Sequence, residues 1–251
     1  YQKGGDYIKS GLILENITRT AKSLGYYDTL IELLNYQLIN YPKSNIWLRY
    51  HYIHSLLIRG KLNECKRQFL EINTNKVKDN DIFFSLVRLK SEIYSELGNY
   101  QVALRTIESC SERFEKETLT KSIRNHFLSA LVGIYTESGD FSKAIDSLII
   151  WERLINDNEY ERAIYYCRYA IINLKQKNYE INEESLDKAI SVFQKCNDKR
   201  GLAWSKSIKA INELQCGNIK IALQCVVDCI TIKNHIGEVT RDYYNTLKLF
   251  E

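Results

Sequence analysis

Histidine and cysteine are the residue types in this sequence that could bind a metal ion or act as nucleophiles, and their spacing favours neither chemistry. His51 and His54 are three residues apart and would share a helix face, but no acidic residue or cysteine is spaced to complete a metal site with them. The seven cysteines include no Cys-x-x-Cys pair, and no phosphate-binding loop, zinc-protease or serine-hydrolase motif occurs. We therefore predict that this chain has no catalytic residue, metal site or cofactor, and that it is not an enzyme.

The chemistry that the sequence does offer is non-covalent recognition. Trp47, Tyr50 and His54 follow one another at helical spacing, so they would lie along one helix face. Aromatic side chains bring a large contact area at a low cost in side-chain entropy, as they do at the energetic centres of protein interfaces. The competing interpretation is that Trp47 packs in the core between structural repeats, and the same alternative applies to Trp204.

These residues belong to a sequence that repeats one short phrase. The copies are LGNYQVAL (97–104), SGDFSKAI (138–145), CGNIKIAL (216–223) and, more weakly, LGYYDTLI (24–31) and RGKLNECK (59–66). Gly139 and Gly217 are about twice as far apart as the other neighbouring glycines of these phrases, which predicts a degenerate copy between them. That copy is KNYEINEESLDKAI at 177–190, where Asn178 and Tyr179 stand at the turn.

Each copy carries the same residue types at fixed distances from its glycine. A large apolar residue comes two positions later, a mostly small residue five positions later, and a bulky residue four positions further on. The glycine can end a helix in a left-handed turn, and the small residue lets the next helix cross closely. The repeat signature comprises Gly60, Gly98, Tyr100, Ala103, Tyr135, Gly139, Phe141, Ala144, Ala189, Gly217 and Ala222. Each unit is predicted to be a helix–turn–helix hairpin that buries its apolar face against neighbouring hairpins.

This pattern resembles the tetratricopeptide repeat. The match is clearest in the fourth unit, at Leu128, Leu131, Tyr135, Gly139, Phe141, Ala144 and Leu148. The units depart from the family because they are longer than its usual length and mostly lack its tryptophan near the start of the first helix. The resemblance implies an all-α, right-handed superhelical solenoid of about six hairpins over residues 7–236. Residues 1–6 would be a disordered or linker segment, and residues 237–251 a capping helix or the start of a further repeat.

In tetratricopeptide proteins the first helix of each hairpin lines a concave groove, which commonly holds a protein or peptide ligand. Counting back from each glycine gives the candidate groove residues Trp47, Tyr50, His54, Arg88, Glu92, His126, Ser129 and Trp204. Further projected positions are Glu15, Arg19 and Ser207. Chaperone-binding members of the family clamp a carboxylate with Lys and Asn on adjacent units. The residues at those positions here, Arg19, His54, Glu92 and Gly133, do not form that clamp.

Three functions are compatible with such an array. The long, irregular hairpins are similar to the sensor arrays of bacterial signal-transduction ATPases, which implies the sensor or regulatory region of a larger signalling protein, with other domains of the chain among its partners. A second hypothesis is a cytoplasmic receptor for a short signalling peptide, as in quorum-sensing-type regulators. It predicts a closed, ring-like superhelix and a groove rich in asparagine, and the projected groove is not rich in asparagine. The third is a purely structural scaffold or oligomerisation module.

Composition predicts a folded cytoplasmic protein that binds neither membranes nor nucleic acid. Apolar residues make up 45% of the chain and there is one proline, which favours long helices. The net charge of +4 is spread along the chain, and no apolar run reaches the ~18–20 residues that span a bilayer. An odd number of cysteines within apolar patterns is typical of free thiols in a reducing compartment. Because the chain contains no methionine, we expect it to be a fragment of a longer polypeptide.

Overall fold

The protein is described by a computed structural model over residues 17–18, 21–22, 24–40, 46–155, 158–179 and 183–250. Across these ranges the regular structure is helical, with no β-strand. The helices are α1 (Tyr27–Asn40), α2 (Ile46–Ile58), α3 (Leu62–Leu70), α4 (Asn80–Glu96), α5 (Tyr100–Glu108), α6 (Ser111–Lys116), α7 (Lys121–Ser138), α8 (Phe141–Ile155), α9 (Glu159–Lys175), α10 (Glu183–Lys195), α11 (Lys199–Gln215), α12 (Ile219–Ile236) and α13 (Arg241–Leu247). Two short 3₁₀ turns are Thr74–Lys76 and Lys248–Phe250.

The helices pair into successive hairpins, as the repeat predicts. The pairs are the helical residues before Gly25 with α1, then α2 with α3, α4 with α5, α7 with α8, α9 with α10, and α11 with α12. The first helices also contact one another in order, from α2 through α4, α7 and α9 to α11, so they form one continuous row. The core is a chain of local apolar clusters along this row, which is how repeat proteins distribute their stability. The predicted all-α solenoid is confirmed.

The turn glycines have the backbone conformation that the repeat predicts. Their φ angles are +84° at Gly25, +65° at Gly60, +73° at Gly98, +85° at Gly139 and +82° at Gly217, all in the left-handed region. In this conformation the residue after the glycine donates its N–H back to the last turn of the preceding helix. Asp140 N–H, for example, lies 3.0 Å from the carbonyl oxygen of Tyr135. Each glycine therefore ends a first helix and directs the chain into the second.

The small residue five positions after each turn lies at the crossing of two helices. Ala103, Ala144 and Ala189 are fully buried, and Ala222 is 5% exposed. Cys65 takes the same position in the second hairpin and is also fully buried. A side chain of this size lets the helix axes approach closely, so the offsets read from the sequence correspond to real helix contacts.

The fifth hairpin makes its turn without glycine, and the structure corrects the predicted position of that turn. The left-handed residue is Lys177, at φ +63°, one position before the predicted Asn178 and Tyr179. The reason is that α9 ends at Lys175, so its capping geometry falls on Lys177, whose N–H bonds the carbonyl of Leu174 at 3.1 Å.

Replacing Lys177 with glycine should stabilise the protein. A left-handed conformation costs a residue with a Cβ about 1–2 kcal/mol, of which glycine's extra freedom in the unfolded chain returns part. We expect Lys177→Gly to raise the free energy of unfolding by about 0.5–1 kcal/mol, measured by urea denaturation. Lys177→Ala is the control, because it removes the charge and keeps the strain. An equal gain in both variants would show that the charge, and not the backbone, is the cause.

The end of the array folds back onto its beginning. We call residues 236–241 the closing segment. Its Val239 N–H donates to the carbonyl of Ile58 at 2.9 Å, and the Arg59 guanidinium donates to the carbonyl of Gly237. Gly25 lies so close to Ile236 that a Cβ there would come within 2.4 Å of the isoleucine side chain. The sixth hairpin thus contacts the turns of the first and second.

The closing segment continues along the turns of the third and fourth hairpins. The backbone N–H of Arg241 donates to Glu96 at 2.8 Å, and its guanidinium lies 5.1 Å from the ring centre of Tyr100 and 3.9 Å from Glu137. The following helix, α13, is fixed to α12 by the ion pair of the buried Lys233 with Asp242. The solenoid is therefore closed along the edge where its hairpin turns lie.

Candidate recognition site on the inner helices

Charges from opposite ends of the array act on one another across a shared space. Burial lowers the pKa of both Lys22 and His54, and Arg200 in the first turn of α11 lowers both further. The contacts of Val239 with Ile58 and of Ile236 with Gly25 bring the first, second and sixth hairpins close together. We call this space the inner channel. We define it by the side chains of the first helices that act on one another there: Lys22, Tyr50, His54, Arg88, Glu92, Arg168 and Arg200.

One wall of the channel is aromatic. On α2, the Trp47 ring lies edge-on to Tyr50 at 5.3 Å and stacks with His51 at 5.9 Å. The Tyr50 and His54 ring centres are 6.1 Å apart. Tyr50 is buried, whereas Trp47, His51 and His54 keep part of their surface open to solvent. These rings form a continuous apolar surface with exposed portions that a ligand could contact.

Arg88 connects this wall to the next helix. Its guanidinium donates to the Tyr50 hydroxyl on α2 and to the Glu92 carboxylate one turn further along α4. Arg88 and Glu92 are both partly buried. The positive charge of Arg88 is thus matched by its own helix, and the pair holds the Tyr50 ring in place.

Lys22 contributes a cation without a matching anion. Its Nζ lies 2.9 Å from His51 Nδ1 and 5.6 Å from the Tyr50 ring centre. Within the described ranges, no carboxylate lies within 4 Å of it. Burial lowers the pKa of Lys22 to about 7, and Arg88 and Arg200 act in the same direction. A nearby anion would raise that pKa and favour the charged ammonium.

Arg168 lies on α9, further along the row of first helices. Its Nε donates to the Ser129 hydroxyl on α7 at 3.3 Å, and its guanidinium lies 5.0 Å from the ring centre of Trp204 on α11. Its Nη1 occupies the space left by Gly133, where a Cβ would come within 2.5 Å of it. Burial lowers the pKa of Arg168, while the more distant carboxylates Glu92 and Glu137 act in the opposite direction.

His54 holds a buried ring nitrogen in this positive environment. Its Nδ1 has no hydrogen-bond partner. Its pKa lies well below the usual value because burial disfavours the charged ring, and because Lys22, Arg200, Arg88 and His51 add positive charge. His54 is therefore neutral in the folded protein near pH 7.

This environment makes folding stability depend on pH. An unfolded histidine takes up a proton near pH 6.5, whereas folded His54 does not until much lower pH. The unfolded state then binds more protons, so the free energy of unfolding should fall as the pH drops below about 6.5. We expect His54→Gln to reduce this pH dependence between pH 7 and 5, measured by urea denaturation at each pH. An unchanged slope would contradict the buried, neutral state of His54.

The other predicted groove residues differ in how far their side chains are exposed. His126 is exposed, yet loss of surrounding water, with a contribution from Arg88, lowers its pKa to about 4. Ser129 is 8% exposed and supports Arg168, while Trp204 is half-buried beneath that guanidinium. Glu15 and Arg19 lie outside the described residues.

Sequence reasoning missed three cations of the channel, Lys22, Arg168 and Arg200. The positions were counted back from turn glycines, and the fifth hairpin has no glycine from which Arg168 could be counted. Lys22 and Arg200 lie near helix ends, where counting along a central stripe does not reach. A search for cations on the first helices of all hairpins would have found Arg168.

The cysteines are mostly packing residues. Cys65, Cys110, Cys167, Cys225 and Cys229 are buried, and burial raises the pKa of the Cys65 thiol to about 12 and that of Cys110 to about 11. Such thiols stay protonated and are poor nucleophiles. Within the described ranges, no cluster of three metal-binding side chains occurs. No helix there is both long and apolar enough to span a membrane.

The paired helices and the inner row define the class of this protein as a tetratricopeptide-like helical-repeat solenoid. It is similar to the crystal structure of BtubC (BKLC) from P. vanneervenii, with a TM-score of 0.57 and 13% sequence identity over 85% of this chain and 90% of that chain. At this identity the similarity shows the fold alone. Neither a protein-family model nor a curated protein matches the chain.

Proposed function

We propose that this chain is a recognition scaffold that binds a peptide segment in the inner channel. The observation that carries the proposal is the convergence of partly exposed aromatic and charged side chains from several hairpins on one space. Trp47 and His54 come from α2, Glu92 from α4, Arg168 from α9 and Trp204 from α11. Trp47 and Trp204 also pack against the apolar clusters of their hairpins, so the surface that they leave exposed is what a ligand would contact.

The composition of the channel also suits a peptide ligand. Aromatic rings offer stacking surface for apolar side chains, while the remaining N–H groups of Arg168 offer hydrogen bonds. An extended peptide needs both kinds of contact along its length. We further propose that the peptide belongs to a signalling partner or to another domain of the same polypeptide. The scaffold would then be the sensor region of a larger cytoplasmic protein, where its free thiols stay reduced.

A second candidate is supported by the closing segment. A receptor for a short signalling peptide is expected to be a closed superhelix, and the contacts of Val239 and Arg241 close this one. On the first helices, Asn125, Asn173 and Asn212 are buried, and Asn125 donates to Glu161. Arginine and aromatic residues would therefore determine ligand choice in such a receptor.

Selection from a displayed library of random decapeptides tests the proposed function. We expect the folded chain to enrich peptides, and the exposed inner residue His126→Ala and the aromatic variant Trp47→Ala to weaken their binding. The matched outer control is Tyr36→Ala, because Tyr36 is 58% exposed on the second helix of its hairpin. Thermal unfolding should show that all three variants fold. Enriched peptides that bind equally to all variants, or no enrichment at all, would contradict the proposal.

A further inference from the structure

We propose that the inner channel selects peptides that carry a carboxylate, and that the guanidinium of Arg168 is the residue that binds it. This inference rests on the proposed peptide-binding function and adds the chemistry of the ligand. The carboxylate could be an Asp or Glu side chain or the C-terminus of the peptide, because both present the same group to a guanidinium.

Arg168 is held in position without a ligand. Ser129 accepts its Nε–H, Trp204 lies beneath its plane, and Gly133 leaves the space for Nη1. Residues of two other hairpins, the fourth and the sixth, thus fix one side chain. An arginine that is already ordered loses less conformational entropy when it binds a ligand.

No carboxylate of the described residues forms an ion pair with this positioned cation. In the channel, Arg88 pairs with Glu92, and Arg200 lies 3.7 Å from Glu238. For Arg168, no carboxylate of the described residues lies within 4 Å, and its recorded contacts are a neutral hydroxyl and an aromatic ring. A desolvated charge without a partner is costly. Its retention here is explained if a ligand supplies the anion.

The geometry of the remaining N–H groups of Arg168 suits a carboxylate. A guanidinium has five N–H groups, and Ser129 engages the one on Nε. The Nη groups remain and match the two oxygens of a carboxylate in a bidentate pair. Lys22, the other channel cation without a carboxylate partner in the described part of the chain, adds attraction for the same charge.

This site differs from a lysine–asparagine clamp in both its residues and its location. The guanidinium comes from the fifth hairpin, and its support comes from the fourth and sixth. The Glu92 carboxylate favours the charged forms of both Lys22 and Arg168, because it raises the pKa of each.

The test uses two matched decapeptide libraries that are random except for two central positions, fixed as Glu in one and as Gln in the other. Each library is made with a free and with an amidated C-terminus and is labelled with fluorescein. Binding is measured by fluorescence polarisation. We expect the wild-type chain to prefer the carboxylate-bearing form by roughly 10- to 100-fold, as for hydrogen bonds to a charged group.

Variants assign that preference to Arg168. Arg168→Met should abolish it, and Arg168→Lys should restore part of it. Gly133→Ala keeps the charge and displaces the guanidinium, so it should also reduce the preference and remains informative if Arg168→Met does not fold. Arg105→Met, which removes an exposed arginine on the outer helix α5, is the control.

The outcomes separate the two proposals. A preference for Glu over Gln supports a side-chain carboxylate, and a preference for the free over the amidated terminus supports a C-terminal one, provided that Arg168→Met removes it. Equal binding of all forms would overturn the carboxylate inference and leave peptide binding intact. A preference that survives both Arg168→Met and Gly133→Ala would overturn the role of Arg168. Absence of binding to every library would overturn the proposed function itself.

Discussion

Ala144→Glu should unfold the middle of the solenoid. Ala144 is fully buried where α8 crosses the first helix of its hairpin, and it lies in the cluster that contains Leu148 and Trp151. A glutamate there would add volume to a closed contact and bury a charge without a partner. We expect the free energy of unfolding to fall by about 3 kcal/mol or more, measured by urea denaturation and circular dichroism.

The control for this substitution is Ser142→Glu in the same helix. Ser142 is exposed in the first turn of α8, where a negative charge interacts favourably with the helix dipole. We expect no loss of stability in this variant. If both glutamates were tolerated equally, the assignment of Ala144 to the helix crossing, and with it the register of the repeat, would be wrong.

Gly60→Ala should destabilise the protein more than the same substitution at Gly98, although both residues occupy equivalent turns. Both have positive φ angles, so an alanine costs each about 1–2 kcal/mol. At Gly60, a Cβ would also come within 2.5 Å of the Val239 carbonyl oxygen, a backbone atom of the closing segment. At Gly98, nothing lies within 4 Å of the Cβ position.

The difference between the two variants isolates the closure of the solenoid. We expect Gly60→Ala to lose about 1–3 kcal/mol more than Gly98→Ala, in the range for forcing atoms into packed contacts. Hydrogen exchange of the Val239 amide, which donates to Ile58, should increase in Gly60→Ala and stay protected in Gly98→Ala. Equal losses in both proteins would mean that the closing segment does not rest on the second hairpin.

The hairpins could be predicted from the sequence because each depends on local chemistry. Gly139 needs a left-handed backbone, and Ala144 five positions later meets a helix crossing, whatever the rest of the chain does. These constraints recur at each unit and can be read as offsets. Where the local signal is missing, the prediction shifts, as it did by one residue at Lys177.

The closure and the cation arrangement could not be predicted because they depend on contacts between distant hairpins. Val239 meets Ile58 across almost the whole array, and no local pattern marks either residue. Likewise, Arg168 is positioned by Ser129 and Trp204 on neighbouring hairpins, and counting positions along one helix does not reveal these contacts. The curvature of the solenoid is the sum of small rotations between units, and it determines which residues of distant hairpins come into contact.

The most direct test of the central claim is a crystal structure of the chain bound to the tightest peptide from the decapeptide selection. We expect continuous peptide density in the inner channel, along α2, α4, α7, α9 and α11, between Trp47 and Arg168. Peptide density on the outer helices, such as α8 or α12, or at an end of the stack would contradict it. The inner channel would then be a structural feature, and recognition would belong to another surface.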